Sequence, residues 1–317
     1  MRQSRGTGRK IHDFIVPPAC FSLRLNHDEV VSFFSHFRAL AYNERAFTQR
    51  RFGIDFAALK VLTPGAALML AAELYRVQKF IGRRLSAVRR HEWDANVSRL
   101  LSELGLFDLL QTPNMAPAQY PPRRDGIEII KYSVDTEVIP EKCGELLDCL
   151  SEVAGSIHAE NFIYDGLVEA LKNSRHHAYT EDKWYGVDRG TWFMTGSYNR
   201  TEKQLSAAVF DLGVGIPHTL PRSGLWELLR PILSLGLRSD DGEMIAAAME
   251  HGRTSTMLKE RGRGLPIMMR ILDHHEGYLR IVSGRGEARY DSLTKKVSAI
   301  SHPESIGGTL IEWSIKQ

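Results

Sequence analysis

Four short motifs in the second half of the chain place glycines or paired polar residues where helices and strands are expected to begin or end. In chain order they occupy residues 169–173, 211–215, 261–266 and 307–309. Glycine permits sharp turns and a close approach of the backbone, so each motif restricts the local path of the chain. Single glycine triplets are common, and it is the order and spacing of all four motifs that indicate one shared pocket.

The first motif, Glu-Ala-Leu-Lys-Asn, lies in a helix predicted from about residue 160 to 178, where apolar residues recur at helical spacing. Glu169 and Asn173 are four residues apart and therefore share one helical face. Mg²⁺ prefers oxygen ligands such as the Asn173 amide oxygen, and a carboxylate can deprotonate an attacking water or hydroxyl. We therefore predict a metal ligand at Asn173 and a general base at Glu169. An exposed Glu and an Asn near a helix end remain the alternative.

The second motif follows a strand predicted over residues 205–210. Asp211 stands at the end of this strand, and Gly213 and Gly215 let the backbone turn and approach a ligand. An ionised carboxylate accepts hydrogen bonds from an exocyclic amine, which would distinguish adenine from other bases. An ordinary turn between a strand and a loop is the alternative.

The third motif precedes a predicted helix with a proline near its first turn, where the missing N–H costs little. Gly262 and Gly264 would expose backbone N–H groups to an anion at the start of this helix. Arg261 and Arg263 add positive charge that suits phosphate. The motif is therefore predicted to bind the phosphates of a nucleotide.

The stretch from about residue 135 to 317 resembles the GHKL ATP-binding domain of gyrase-type topoisomerases, MutL-like repair proteins, Hsp90-type chaperones and histidine kinases. The first three motifs are similar to that family's N box, G1 box and G2 box. Thr309, which opens a predicted strand over 309–315, matches the final Gly-Thr of the family. The N-box run is most similar to that of the anti-sigma-factor serine kinases. Pro266, Met268 and Met269 differ in detail from the commonest G2 sequences.

This resemblance implies an α/β (α+β) fold of the Bergerat type, a two-layer mixed sheet covered on one face by helices, with ATP and Mg²⁺ as ligands. Asp211 would accept the adenine amine with support from Thr309, and Asn173 would hold Mg²⁺. The backbone from Gly262 to Gly264 would wrap the phosphates. Residues 217–261 would form a mobile lid over ATP.

The first part of the chain alternates predicted strands near 21–25 and 52–56 with predicted helices over 28–42, 64–81 and 94–109. Its runs 54–66 and 97–110 resemble the STAS domain of anti-anti-sigma type. In the STAS partners of anti-sigma kinases an Asp-Ser pair carries the phosphorylated serine. Leu62 and Thr63 stand at those places, which leaves Thr63 open between a phosphoacceptor and a helix N-cap.

Composition indicates a globular chain: 317 residues with 43% hydrophobic and 25% charged content suggest two domains. We predict a disordered basic tail at 1–12, a STAS-like domain at 13–112, a Pro-rich linker at 113–126 and the ATP-binding domain at 127–317. The strand-like run 127–132 could belong to either side. The longest apolar stretch, 66–72, is too short for a bilayer, and the start of the chain has no signal-peptide character. Three cysteines without a CxxC motif fit a reducing cytoplasm.

Three functions remain open from the sequence: a slow ATPase that acts as a regulatory switch, a serine/threonine (or histidine) protein kinase of anti-sigma-factor type, and a non-catalytic ATP-binding interaction module. The presence of Glu169 favours a catalytic role of the chain over ATP binding alone. The surroundings of His36 lack the acid and proline of a histidine-kinase phosphoacceptor. Beside ATP we expect a protein partner through the STAS-like domain. A homo-oligomer stays open, a net charge of +3 gives little reason to expect nucleic acid, and no membrane contact is expected.

Overall fold

The computed structural model describes residues 12–42, 51–82, 85–110, 120, 122–123, 126–155, 157, 160–180, 186–223, 226, 229, 240–254 and 264–317. Within these ranges the chain is a mixed α and β protein. Its N-terminal part (residues 12–110) contains, in order, β1 (His12–Ile15), β2 (Cys20–Phe21), α1 (His27–Tyr42), β3 (Arg51–Ile54), β4 (Val61–Leu62), α2 (Pro64–Ile81), β5 (Ser86–Ala87), a short 3-10 helix (Arg90–Glu92), α3 (Ala95–Leu104) and α4 (Leu106–Leu109).

The C-terminal part (residues 126–317) carries most of the strands. In order it contains β6 (Ile127–Ile129), β7 (Ser133–Asp135), α5 (Pro140–Ala154), α6 (Glu160–His177), β8 (Trp192–Asn199), β9 (Gln204–Asp211), α7 (Ile216–Thr219), a 3-10 turn (Leu220–Arg222), α8 (Asp241–Thr254), α9 (Gly264–Met269), a 3-10 turn (Arg270–Asp273), β10 (Gly277–Ser283), β11 (Gly286–Asp291), β12 (Lys296–Ser301) and β13 (Thr309–Lys316). None of the described helices has the length and apolar character needed to cross a membrane.

The N-terminal part has short parallel strands beside long helices. β1, β3 and β5 form one parallel sheet, and β2 pairs with β4. The strand predicted near 21–25 is shorter and ends at Phe21, where a turn follows. The helix predicted over 94–109 is two helices, because Gly105 adopts φ 89° and ends α3 in the left-handed conformation. Asp94 caps α3 by accepting hydrogen bonds from the next turn.

An eight-stranded sheet forms the centre of the C-terminal part. Its strand order is β12-β11-β10-β13-β9-β8-β6, and β7 also pairs with β8. Every pairing among its described strands is antiparallel, so the expectation of a mixed sheet is corrected. The connections β8–β9, β10–β11 and β11–β12 are only two to four residues long, and such short connections make neighbouring strands antiparallel. The run that begins at Ile127 joins this sheet as β6.

The helices of the C-terminal part that pack on this sheet lie on one face, and the N-terminal part covers the other face. α5, α6 and α9 lie on one side, over a core that includes Leu171, Trp192 and Trp313. On the other side α2 packs against β8 and β9. The strands carry apolar side chains on that face, which are buried against the N-terminal part. These side chains form one core with it: Phe193, Ala208, Phe210, Val282 and Leu310. The two parts therefore share a hydrophobic core.

One helix of the expected lid is part of the packed structure. Residues 217–261 were expected to form a mobile cover, yet α8 packs against β11, β12 and α9. Ile245 and Met249 of α8 are fully buried, and Gly242 lies so close to the Ile300 backbone that a Cβ would overlap it. The expectation that this segment forms a mobile lid is therefore wrong for α8, because the apolar face of α8 packs against the sheet. Residues 230–239 and 255–261 lie outside the described residues.

Candidate functional site

α6 carries the first pair of predicted site residues on the edge of its buried face. Ile163, Leu167 and Leu171 point into the core under the sheet and are fully buried. Glu169 and Asn173 are half-buried and lie at the border of this face. The Glu169 carboxylate, 19% exposed, forms an ion pair with Lys172 at 2.7 Å. A carboxylate that accepts from a lysine is held in one orientation, which suits a group that positions a water.

α9 brings the third motif against the first. The two helices approach closely at Gly166, where a Cβ would lie 3.6 Å from the Met268 Cα of α9. The same Cβ would lie 3.2 Å from the ring of Trp313 on β13, whose indole donates to the Met268 carbonyl at 2.8 Å. At the start of α9, a Cβ on Gly264 would lie 3.3 Å from Asn173 Nδ2 and 3.5 Å from Glu169 Oε2. Gly264 thus faces both predicted α6 residues and leaves the space beside them free of a side chain. Arg261, Gly262 and Arg263 lie outside the described residues.

Asp211 ends β9 with its carboxylate buried on the α6 side of the sheet. Its Oδ1 accepts from the Gly213 N–H at 2.9 Å, and its Oδ2 accepts from Ser174 Oγ at 3.3 Å. Burial raises the pKa of Asp211 to about 6, and the hydrogen bonds from Gly213, Ser174 and the Thr309 backbone oppose this rise. The carboxylate is therefore ionised at neutral pH and has acceptor capacity left for a further donor.

Thr309 lies directly across from Asp211 in the sheet. The two residues are partners in the antiparallel register of β9 and β13, and both are nearly fully buried. The Thr309 hydroxyl is 2.8 Å from Ser283 Oγ, which accepts from the Ile216 N–H at 2.7 Å. A Cβ on Gly308 would overlap the Asp211 carbonyl oxygen, so glycine is required at that position. These contacts fix the hydroxyl of Thr309, and the register places Thr309 on the same face of the sheet as Asp211.

The two glycines of the second motif hold the loop after β9 between its neighbours. A Cβ on Gly213 would overlap the carbonyl oxygen of Ala178, just beyond α6, and the Val214 N–H donates to that oxygen at 2.8 Å. Gly215 has φ 90°, a conformation that favours glycine, and it lies against Gly284 and Ser283. The loop is therefore packed between the end of α6 and the turn after β10.

Three polar residues complete the site and were not predicted from the sequence. Ser174 donates to Asp211 and to the Ala170 carbonyl. Tyr179 donates to the Thr191 carbonyl and accepts from the Leu212 N–H. Ser283 supports Thr309. Ser174 gave a usable signal, since it is a polar residue on the apolar stripe of α6 directly after Asn173; Ser283 gave none, because only the β10–β13 pairing brings it to Thr309.

A groove of about 510 Å³ lies elsewhere, on the opposite face of the sheet where α2 begins. Hydroxyl groups and balanced charges line it, among them Thr63, Ser197, Arg280 and Glu312. None of the described candidate residues on α6, β9, α9 or β13 lines this groove. The candidate site is therefore defined by the described residues of the four motifs and not by this groove.

Comparisons with known proteins give no family for the chain: a scan against models of protein families and a search of curated proteins both found no match. The chemistry of the site must be inferred from its own residues. It offers a buried ionised carboxylate beside a hydroxyl, an oxygen ligand for a hard cation, and a carboxylate positioned by a lysine.

Proposed function

We propose that this chain binds Mg²⁺-ATP between α6, the loop after β9 and α9, and hydrolyses it slowly as a nucleotide-dependent regulatory switch. The observation that carries the proposal is the convergence at Asp211. Its buried carboxylate is ionised at neutral pH, lies opposite Thr309, and is anchored to the same helix that carries Glu169 and Asn173. This is the arrangement expected of the GHKL ATP-binding domain that the sequence resembles.

In this proposal the adenine base of ATP lies at Asp211, and the phosphates of ATP lie toward Gly264. The Asp211 carboxylate accepts from the adenine amine, with the Thr309 hydroxyl beside it. The amide oxygen of Asn173 is the candidate ligand for Mg²⁺, which keeps several waters and takes further oxygens from phosphates. The bare backbone at Gly264, close to both α6 side chains, supports a place for the terminal phosphates there. A metal ion held there would shield the charge of the phosphates and polarise the bond to be broken.

Glu169 supports hydrolysis over binding alone. A carboxylate is not needed to hold ATP and would repel the phosphates, so its position beside Asn173 and Gly264 is best explained by chemistry. In the proposed step the Glu169 carboxylate takes a proton from a water while the water oxygen bonds to the γ-phosphorus and the bond to ADP breaks. The ion pair with Lys172 orients the carboxylate for this role.

A switch requires that the nucleotide site communicate with another surface, and the N-terminal part supplies that surface. Arg38 of α1 donates to the Ile306 carbonyl at 2.7 Å, two residues before Gly308. A Cβ on Gly307 would lie 2.9 Å from the guanidinium carbon of Arg38. The segment that leads into Thr309 therefore rests on α1, which supports a coupling between ATP and a protein partner of the N-terminal part.

Incubation of the purified full chain with γ-labelled ATP and Mg²⁺ tests the proposal. We expect labelled phosphate to be released slowly and release to stop when Mg²⁺ is chelated. Label that stays on a serine or threonine of the protein, or of an added partner, would favour the kinase alternative. ATP binding without release or transfer would favour the interaction module. Failure to bind ATP at all would overturn the proposed site.

A further inference from the structure

Two histidines that are far apart in the sequence stack on each other where α1 meets the end of β12. His27 is the first residue of α1, and His302 directly follows β12. Their ring centroids lie 3.4 Å apart, and the ring planes differ by 7°. One nitrogen from each imidazole and one carboxylate oxygen of Asp28 all lie within 4.8 Å of one another. Three groups that commonly bind transition metals therefore meet between the two parts of the chain.

The imidazoles of this cluster have unused lone pairs. Both ring nitrogens of His27 and the Nε2 atom of His302 are buried without a hydrogen-bond partner. His302 Nε2 lies 3.5 Å from Glu287 Oε2, and its Nδ1 lies 3.8 Å from Asp28 Oδ1, separations too long for ordinary hydrogen bonds. Buried polar atoms are nearly always paired, so a group of unpaired ones calls for a ligand.

The surrounding charges suit a cation. Asp28 and Glu287 face the imidazoles, and the neighbouring Arg280 is already paired with Glu287 at 2.7 Å and with Glu312 at 3.0 Å. The negative charges of Asp28, Glu287 and Glu312 exceed the positive charge of Arg280, so a bound divalent cation would neutralise the excess.

We propose that His27, Asp28 and His302 bind a divalent transition-metal ion, Zn²⁺ first among them, which joins the N-terminal part to the C-terminal part. Zn²⁺ takes imidazole nitrogen and carboxylate oxygen at about 2.0–2.2 Å in a tetrahedral arrangement, which separates neighbouring ligand atoms by about 3.3 Å. The imidazoles tilt out of the stack when the ion binds, because their lone pairs lie in the ring planes. The Asp28 carboxylate, 70% exposed, is free to close on the ion, and a water takes the fourth position.

The site would link α1 to the connection between β12 and β13. The backbone of His302 is held in place, since the backbone N–H of His302 donates to the Arg285 carbonyl at 2.8 Å. The same connection is held further on by Ser35, which donates to Glu304 at 2.9 Å. A bound ion would therefore strengthen an existing junction. The proposal rests on none of the nucleotide-site residues and stands whether or not the chain binds ATP.

Metal titration of the untagged full chain tests this site. The protein is freed of metal with a chelator, its cysteines are blocked with N-ethylmaleimide, and Zn²⁺ is added alone while binding is followed by calorimetry. We expect one tightly bound Zn²⁺ per chain. His27→Ala, His302→Ala and Asp28→Ala should each weaken binding at least about tenfold. His36→Ala removes an exposed histidine from the same helix and should bind Zn²⁺ as the wild type does.

The Asp28→Ala variant and a Co²⁺ spectrum cover the case in which a histidine variant fails to fold. Asp28 is exposed, so its replacement leaves the core intact. Co²⁺ in the wild type should give visible bands of nitrogen and oxygen ligation, with intensity reduced in Asp28→Ala. The proposal is overturned if the cysteine-blocked wild type binds Zn²⁺ no better than Asp28→Ala, or if Co²⁺ gives the same spectrum in both.

Discussion

At the scale of single residues, Asp211 sets the pH behaviour of the site. Its pKa rises from 3.8 to about 6 on folding, chiefly because of burial, so the folded chain holds this proton more tightly than the unfolded chain. The contribution of Asp211 to the free energy of unfolding should therefore fall as pH rises from about 4 to about 6, and stay constant above that. The total change is on the order of 2–3 kcal/mol.

Asp211→Asn should abolish this contribution. Urea unfolding of wild type and variant at several pH values between about 4 and 7 gives the difference in unfolding free energy at each pH. We expect the variant to gain stability relative to the wild type as pH rises through this window, because Asn carries no proton to lose. A difference that is independent of pH would show that the carboxylate does not titrate as described.

Glu169 should affect turnover and not affinity. Glu169→Gln keeps the shape of the side chain but removes the proton acceptor, so ATP binding should persist while hydrolysis falls by ~10²–10⁴-fold. Asp165→Asn, which removes an exposed carboxylate from the same helix, is the matched control and should hydrolyse ATP normally. Steady-state phosphate release and nucleotide titration measure the two effects separately. Hydrolysis at the wild-type rate in Glu169→Gln would exclude Glu169 as the base.

At the scale of elements, Gly213 fixes the loop after β9 against the end of α6. A methyl group there would overlap backbone at Ala178, and the loop could move away only by breaking the hydrogen bond from Val214. Gly213→Ala should therefore lower the free energy of unfolding by about 1–3 kcal/mol. It should also weaken ATP binding, since the loop carries the Asp211 hydrogen bond.

Gly144→Ala in α5 provides the contrast. Nothing lies within 4 Å of a Cβ at Gly144, so alanine there should stabilise the helix by about 0.5–1 kcal/mol. Thermal or urea unfolding of both variants makes the comparison. If the two substitutions changed the free energy of unfolding equally, the close contact at Gly213 would not be what destabilises Gly213→Ala.

The elements that the sequence could predict are those with a strong local signal. α2 begins at Pro64 and ends at Ile81 as predicted, because proline marks its start and its apolar residues are dense. β9 ends at Asp211 beside the glycines that mark its end. The burial of α8 and the use of both sheet faces could not be predicted, since they depend on apolar residues of strands such as Phe210 and Leu310 meeting distant helices. The same is true of Ser283, which only strand pairing brings to Thr309.

At the scale of the whole molecule, a buried ion cluster ties the N-terminal part together and extends to the C-terminal part. Glu73 of α2 is fully buried and pairs with Arg76 and with Arg38 Nε, the latter at 3.0 Å. Arg38 also donates to the Ile306 carbonyl. A buried carboxylate between two guanidinium groups has lost its water, so its charge is compensated only while the cluster is complete.

Glu73→Gln should therefore destabilise the molecule by about 3–5 kcal/mol, because two guanidinium groups lose their buried counter-charge. Glu304→Gln, at the exposed hydrogen bond with Ser35, should cost less than about 1 kcal/mol. Urea unfolding monitored by tryptophan fluorescence compares the two. A loss below about 1 kcal/mol in Glu73→Gln would mean that the cluster contributes little to the junction.

The central claim, an adenine pocket built on Asp211, is tested most directly by calorimetric titration of Mg²⁺-ATP and Mg²⁺-GTP at a pH well above 6, where the carboxylate is ionised. The wild type should prefer ATP, since an ionised carboxylate accepts from the amine of adenine and repels the carbonyl oxygen of guanine. Asp211→Asn should lose on the order of 1–3 kcal/mol of ATP binding. Asp148→Asn, at an exposed position on α5, should lose none. Equal affinity for GTP in the wild type, or unchanged ATP affinity in Asp211→Asn, would contradict the assignment.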